Sequence, residues 1–281
     1  ILAVSSSSCF GSKPRSPYDM IMISLSSSRI ILQTWTILDL LIGVFCESSY
    51  FEANVFVVIK TVYMFLMYSS LWFGAWLSVF YCIKVASFTH SFFIWLKQRI
   101  ARLVPWMLLT SLLYSFATSI PFTWDVPSVH DNLTAPLPMT NSSEMRTTRK
   151  DSLTSLFYLC NAGIGLPLTL SVVSSTLLIR SLWIHTRHMQ NNASGFRDPS
   201  LEAHMKSIKS ICSFFILYVT SFMAFLFLLC DIFLPFSIAK YVCVIIMAAC
   251  PTGHSMVLIW SNPKFRELPA RILHHTSCPV R

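Results

Sequence analysis

Long apolar runs separated by short polar stretches dominate this chain. Six of them run from about Met20 to Phe45, Val55 to Val85, Ile100 to Phe122, Leu153 to Trp183, Ser207 to Phe233 and Ser237 to Trp260. Each reaches the roughly 20 apolar residues that a helix needs to cross a bilayer. Pro105, Pro121, Pro167 and Pro251 fall inside or near the ends of these runs. Membrane helices accept such prolines where neighbours satisfy the freed carbonyls. No internal repeat is evident, which counts against an inverted-repeat transporter. The pattern predicts an all-α membrane protein with about six spans. Residues 1–17 form an atypical leading segment, 18–262 the bundle with a long outer loop at 122–152, and 263–281 a tail.

Loop charge orients the bundle. The stretch after the second run carries Lys84, Lys97, Arg99 and Arg102; the one after the fourth carries Arg187, Arg197, Lys206 and Lys209. The tail adds Lys264, Arg266 and Arg271. Acids collect on the opposite side, at Glu47, Glu52, Asp125, Asp131, Glu144, Asp151 and Asp231, although Arg146, Arg149 and Lys150 share the long loop there. The positive-inside rule places the first set, the tail and the start of the first run in the cytosol. Sequons at Asn132 and Asn141 then lie in the long outer loop, where glycan transfer is possible. The Asn192 sequon falls on the cytosolic side and is expected to stay unmodified.

Composition agrees. Of 281 residues, 54% are hydrophobic and 12% charged. One soluble core of this size could not hide so much apolar surface. The net charge of +9 does not point to nucleic acid, because the basic residues sit in short loops rather than on one solvated face. Cys82, Cys160, Cys212, Cys230, Cys243 and Cys250 lie within apolar runs and read as buried thiols. The apolar stretch Ile1 to Val4 is too short to span and lacks the basic flank of a signal peptide. His185 and His188 share a helical turn without a third ligand. His254 and Ser255 have no triad carboxylate nearby in sequence. Neither an enzyme nor a metal or cofactor is expected.

Four stretches, in order, carry a resemblance. They are Leu25-Ser-Ser-Ser-Arg29, then Leu71-Trp-Phe-Gly-Ala-Trp-Leu-Ser-Val-Phe-Tyr-Cys-Ile-Lys-Val-Ala-Ser-Phe88, then Gly195-Phe-Arg-Asp-Pro-Ser-Leu-Glu-Ala-His-Met-Lys-Ser-Ile-Lys209, and last Pro251-Thr-Gly-His-Ser-Met-Val-Leu-Ile-Trp-Ser-Asn-Pro-Lys-Phe-Arg266. Together they resemble the type 2 (bitter) taste receptors over about residues 18 to 270. A DRY motif is absent, since Phe80-Tyr81-Cys82-Ile83-Lys84 stands at that position, and residues 122–152 hold no cysteine for an outer disulfide. Both features are similar to bitter receptors rather than class A receptors. The resemblance implies a heptahelical receptor-type bundle, of which this chain supplies about six spans. It begins at about the first inner loop, without a counterpart of the family's first-helix Asn.

The resemblance also implies site residues. A ligand pocket between the outer halves of the helices maps to Tyr63, Met67, Phe157, Asn161, Phe222, Phe225, Val244 and Met247, with Asp39 joining them. Many relatives have Asn where Met67 stands, so a polar anchor is missing there. The remaining aromatic and sulfur-bearing side chains suit apolar, varied ligands; ordinary helix packing is the alternative for each. A cytosolic face for a heterotrimeric G protein maps to Lys84, Arg99, Arg102, His204 and Lys206. Topology alone also accounts for basic residues there. Trp72 and Pro167 read as structural, and Tyr218 as a packing residue or a switch.

Three in-span charges need partners. Arg29 lies about ten residues inside the first run, or ~15 Å along a helix. Snorkelling to the inner interface is one reading. The resemblance implies instead contacts with the family's first helix and with the last helix near Ser255. Asp39 is the second charge. Lys60, the third, is expected simply to reach the outer interface.

The expected function is a plasma-membrane, multi-pass bitter receptor that binds bitter small molecules amid membrane lipid and couples to a heterotrimeric G protein. The alternatives are a truncated paralogue that inserts without signalling, and a polytopic transporter or channel.

Overall fold

The computed structural model describes residues 16–46, 53–85, 91–121, 163–184, 187, 199–229 and 238–261, with the side chains of 53, 85, 92, 199–211, 214, 229 and 261 excepted. Six helices account for nearly all of them, and no strand occurs among the described residues. They are α1 (Pro17–Phe45), α2 (Ala53–Val85), α3 (Ser91–Ser119), α4 (Gly163–Ile184), α5 (Pro199–Leu229) and α6 (Ile238–Ser261).

Local chemistry sets the ends of α1. Ser16 is extended, Pro17 occupies the first turn, where its missing N–H costs nothing, and Asp19 faces the helix dipole. The Cys46 N–H closes the other end on the Ile42 carbonyl at 2.9 Å. Two helices begin earlier than the apolar runs predict. α3 starts at Ser91 rather than Ile100, because its first turns carry Lys97 and Arg99 without ceasing to be helical. α5 starts at Pro199 rather than Ser207, again with proline at a position that tolerates it.

Five helices are long and apolar enough to cross a membrane. Among the described residues, α5 contains the shorter apolar stretch Phe215–Leu228. At 31 residues α5 is ~46 Å long, well beyond the ~30 Å hydrocarbon core. The chain is a multi-pass membrane protein.

The solvent of the bundle is legible in which residues face out. On α3, Trp106, Leu109, Leu113 and Phe116 are exposed, while Val104, Leu108, Ser111, Ser115 and Ser119 are buried. The two sets recur every three or four residues on opposite faces. On α2 and α4, too, Ser69, Ser70, Ser78, Ser171, Ser174 and Ser175 are buried. Lipid is as apolar as leucine, so helices associate through close packing of small residues instead of apolar burial. Several of the hydroxyls are satisfied within their own helix: Ser69 donates to the Phe65 carbonyl at 2.8 Å, Ser111 to Met107 at 2.6 Å and Ser174 to Leu170 at 2.7 Å.

Neighbouring helices run antiparallel. Tyr18 near the start of α1 packs on Phe80 and Tyr81 near the end of α2, while Trp35 Nε1 donates to the Ile59 carbonyl at 3.2 Å. Trp76 of α2 donates to Ser111 Oγ of α3 at 2.5 Å, and Trp72 stacks on Trp76 and meets Tyr114 edge-on at 5.4 Å. The inner core joins Ile21, Met22 and Leu25 of α1 to Phe73, Leu77 and Phe80 of α2, Val104 and Leu108 of α3 and Leu258 of α6. α4 runs alongside α2. Gly163 lies against the Tyr68 ring so closely that a Cβ there would fall 2.6 and 2.7 Å from the ring's Cε1 and Cε2. Farther down, Leu178 and Leu182 pack on Cys82.

Candidate functional site

The helices part in their outer half and enclose a cavity of about 590 Å³, counted to its open mouth. α1 contributes Leu32, Gln33 and Thr36, α2 Tyr63, Met67 and Leu71, and α4 Ile164. α5 adds Tyr218, Ser221, Phe222 and Phe225, and α6 Met247, Ala248, Cys250 and Pro251. The helical period explains the spacing. Residues 63, 67 and 71, or 218, 222 and 225, recur every three or four positions and so share one face. The walls are aromatic, sulfur-bearing and aliphatic, with the polar groups of Gln33, Thr36, Tyr63 and Ser221 set among them. Gln33 is held by a bond from its Nε2 to the Ala248 carbonyl at 3.0 Å.

Of the ligand-contact residues expected from sequence, Tyr63, Met67, Phe222, Phe225 and Met247 line this cavity. Phe157 and Asn161 lie outside the described residues. Val244 is 54% exposed and does not line it; Met247, three positions on, takes the inward phase of α6. Asp39 stands one turn outward of Thr36. There it accepts two bonds from Lys60 Nζ, at 2.8 Å to Oδ2 and 3.1 Å to Oδ1. Lys60 therefore does not simply reach the interface. It pairs across α1 and α2 and rests 5.4 Å from the Phe56 ring centroid. Sequence reasoning missed Gln33, Thr36 and Ser221. Their signal was polarity within an apolar run, one or two turns from Asp39 for the first two.

Deeper in the bundle, Arg29 joins α1 to α6. Its Nη1 donates to Ser255 Oγ at 2.9 Å, and Nη2 meets His254 Nδ1. Arg29 and His254 are both buried. This is the contact with the last helix that the motif reading implied, and it replaces snorkelling: the guanidinium turns inward. Tyr218 is buried as well and forms part of the cavity floor.

At the opposite end, Lys84, Arg99 and Arg102 are exposed. Lys84 lies 5.8 Å from the Phe80 ring and Arg99 5.3 Å from the Trp95 ring, the geometry of cations resting on aromatic faces. His204 and Lys206 fall in the first turns of α5. Antiparallel succession brings these helix ends to one side of the bundle, opposite the cavity mouth. Asn132 and Asn141 lie outside the described residues.

Comparison with known proteins gives a consistent set of relatives. The family model of taste receptor proteins (TAS2R) matches residues 1–277, a range that takes in the first 17 residues set apart by the motif reading. A chicken (Gallus gallus) protein named taste receptor type 2 member 40 is 60% identical over 281 residues, covering 100% of this chain and 90% of its own length. Human taste receptor type 2 member 39 is 38% identical over 272 residues, covering 97% of this chain and 80% of its own. Rat taste receptor type 2 member 119 is 34% identical over 266 residues, or 95% and 77%.

Proposed function

The chain belongs to the TAS2R taste receptor family, and from that premise we propose that it detects bitter small molecules in its outer cavity and signals through a heterotrimeric G protein. The carrying observation is the cavity itself. It is open, bounded by five helices and mostly apolar with a few polar groups, the form that small-molecule sites take. Tyr63, Phe222 and Phe225 offer flat apolar faces. Met67, Met247 and Cys250 are soft, polarizable contacts that adapt to varied shapes. Gln33, Thr36 and Ser221 supply a few hydrogen bonds for orientation. The preferred ligand is a mostly apolar molecule with one or two polar groups.

Signalling follows from the placement of the two ends. Tyr218 and Pro251 line the cavity floor on α5 and α6, and the inner ends of those helices meet the cytosol. A ligand that binds one arrangement of α5 and α6 better than another shifts the population between them. Lys84, Arg99, Arg102, His204 and Lys206 then form the cationic face for the G protein. The receptor works from the plasma membrane, with glycans at Asn132 and Asn141 on the outer loop.

Calcium release in cells that express the full chain with a G protein, exposed to a broad panel of bitter compounds, tests this reading. Dose-dependent responses are expected. Silence across the panel despite surface expression would instead favour the non-signalling paralogue.

A further inference from the structure

Arg29 carries a charge that its neighbours do not balance. The residue is 8% exposed. Its two bonded partners, Ser255 and His254, contribute a hydroxyl and an imidazole, and its Nε has no partner among the described residues. The acids of the same helix, Asp19 and Asp39, are each ten residues away, ~15 Å along the axis, and Asp39 is engaged by Lys60. A cation so deep in an apolar bundle calls for a counter-charge.

Arg29 also borders a second, smaller cavity, with Ser70, Gly74, Tyr218, Cys250 and His254 around it. No carboxylate lines it. About 30 Å³ is open there to the centre of a water-sized sphere, more than the roughly 10–15 Å³ that one water requires. The space admits a small ion and is too small for a bulky organic anion. The donor at hand is the Ser70 hydroxyl, beside the guanidinium charge of Arg29 in the cavity wall. A water would fit, but a neutral molecule leaves the charge unbalanced.

We propose that this cavity binds a small monovalent anion, such as chloride, as the counter-ion of Arg29. Leu71, Tyr218, Cys250 and Pro251 border both this cavity and the larger one above it. The anion thus sits directly beneath the outer cavity, in contact with the same walls. It needs no ligand above it, so the proposal stands apart from the signalling reading.

The test is thermal unfolding of the full chain in lipid nanodiscs, with chloride or bromide replacing gluconate at constant ionic strength. A dissociation constant near 10 mM would favour the folded state about 16-fold at 150 mM halide. The expected result is a saturable rise in midpoint of about 3 °C or more. Ser70→Val, which fills part of the cavity without touching the charge, and Arg29→Gln are each expected to lose the halide dependence. A flat midpoint in the unaltered chain would overturn the proposal. So would an undiminished halide response in Ser70→Val, or an equal rise with sulfate, which marks a general salting effect.

Discussion

Lys60 Nζ lies within 3.1 Å of both Asp39 carboxylate oxygens and ties α2 to α1 one helical turn outward of the main cavity. Asp39 is 17% exposed and Lys60 32%, so the pair is neither fully buried nor freely solvated. Neutralising one member leaves the other charged within a span. Asp39→Asn or Lys60→Met is expected to cost about 1–3 kcal/mol, between the values for exposed and buried pairs. The double neutral variant is expected to recover much of that loss. Thermal unfolding of the four proteins checks this; additive losses would mean the two side chains act independently.

Gly163 is the second sensitive position. Its α-carbon rests on the Tyr68 ring, where even a methyl group overlaps. Gly163→Ala is expected to destabilise the α2–α4 contact by about 1–3 kcal/mol. Combining it with Tyr68→Leu, which removes the ring, is expected to restore part of the loss. Unfolding midpoints decide the matter.

Cavity variants address ligand recognition. Phe222→Ala removes an aromatic wall and is expected to raise the half-maximal concentration about tenfold for apolar agonists, the equivalent of ~1.4 kcal/mol. Met67→Asn adds a polar anchor and is expected to change the rank order of agonists. Val244→Ala, on the exposed side of α6, is expected to change neither. Calcium dose–response curves at matched surface expression measure all three. An unchanged agonist profile in Met67→Asn would remove that residue from the site.

Ser255→Ala removes the acceptor of Arg29 Nη1 and leaves the guanidinium with His254. A hydrogen bond to a charged group contributes about 1.5–3 kcal/mol, and a loss in that range is expected in thermal unfolding. Ser255→Thr keeps the hydroxyl and is expected to keep most of the stability.

Orientation is tested by glycosylation. Asn132→Gln and Asn141→Gln are each expected to remove one step of endoglycosidase-sensitive mass in mammalian cells. Asn192→Gln is expected to change nothing. A glycan at Asn192 would invert the assigned topology.

The sequence revealed the spans well because length and hydropathy alone define them. α3 and α5 begin before their apolar runs, because a helix does not start where its apolar run does. Lys97 and Arg99 sit in helical turns whose cations can reach the interface, Arg99 against the Trp95 ring. The inward phase of each helix was harder to read. A lipid-facing surface is apolar too, so hydropathy hardly distinguishes Val244, which faces out, from Met247, which faces in. Asp39 and Lys60 each stood out as charges within a span, but their pairing depends on how α1 and α2 cross. Arg29 and Ser255, which the ordered motifs brought together, needed no such geometry.

The buried serines bear on how this protein tolerates change. Trp106, Leu109 and Leu113 lie on the exposed side of α3, where one greasy residue serves nearly as well as another. Ser111, Ser115 and Ser119 set how near α3 can approach its neighbour. Exchange of any of these serines for alanine keeps that spacing, whereas leucine would wedge the helices apart. The usual expectation for a soluble domain is therefore reversed: the large apolar residues are free to drift, and the small polar ones hold the architecture.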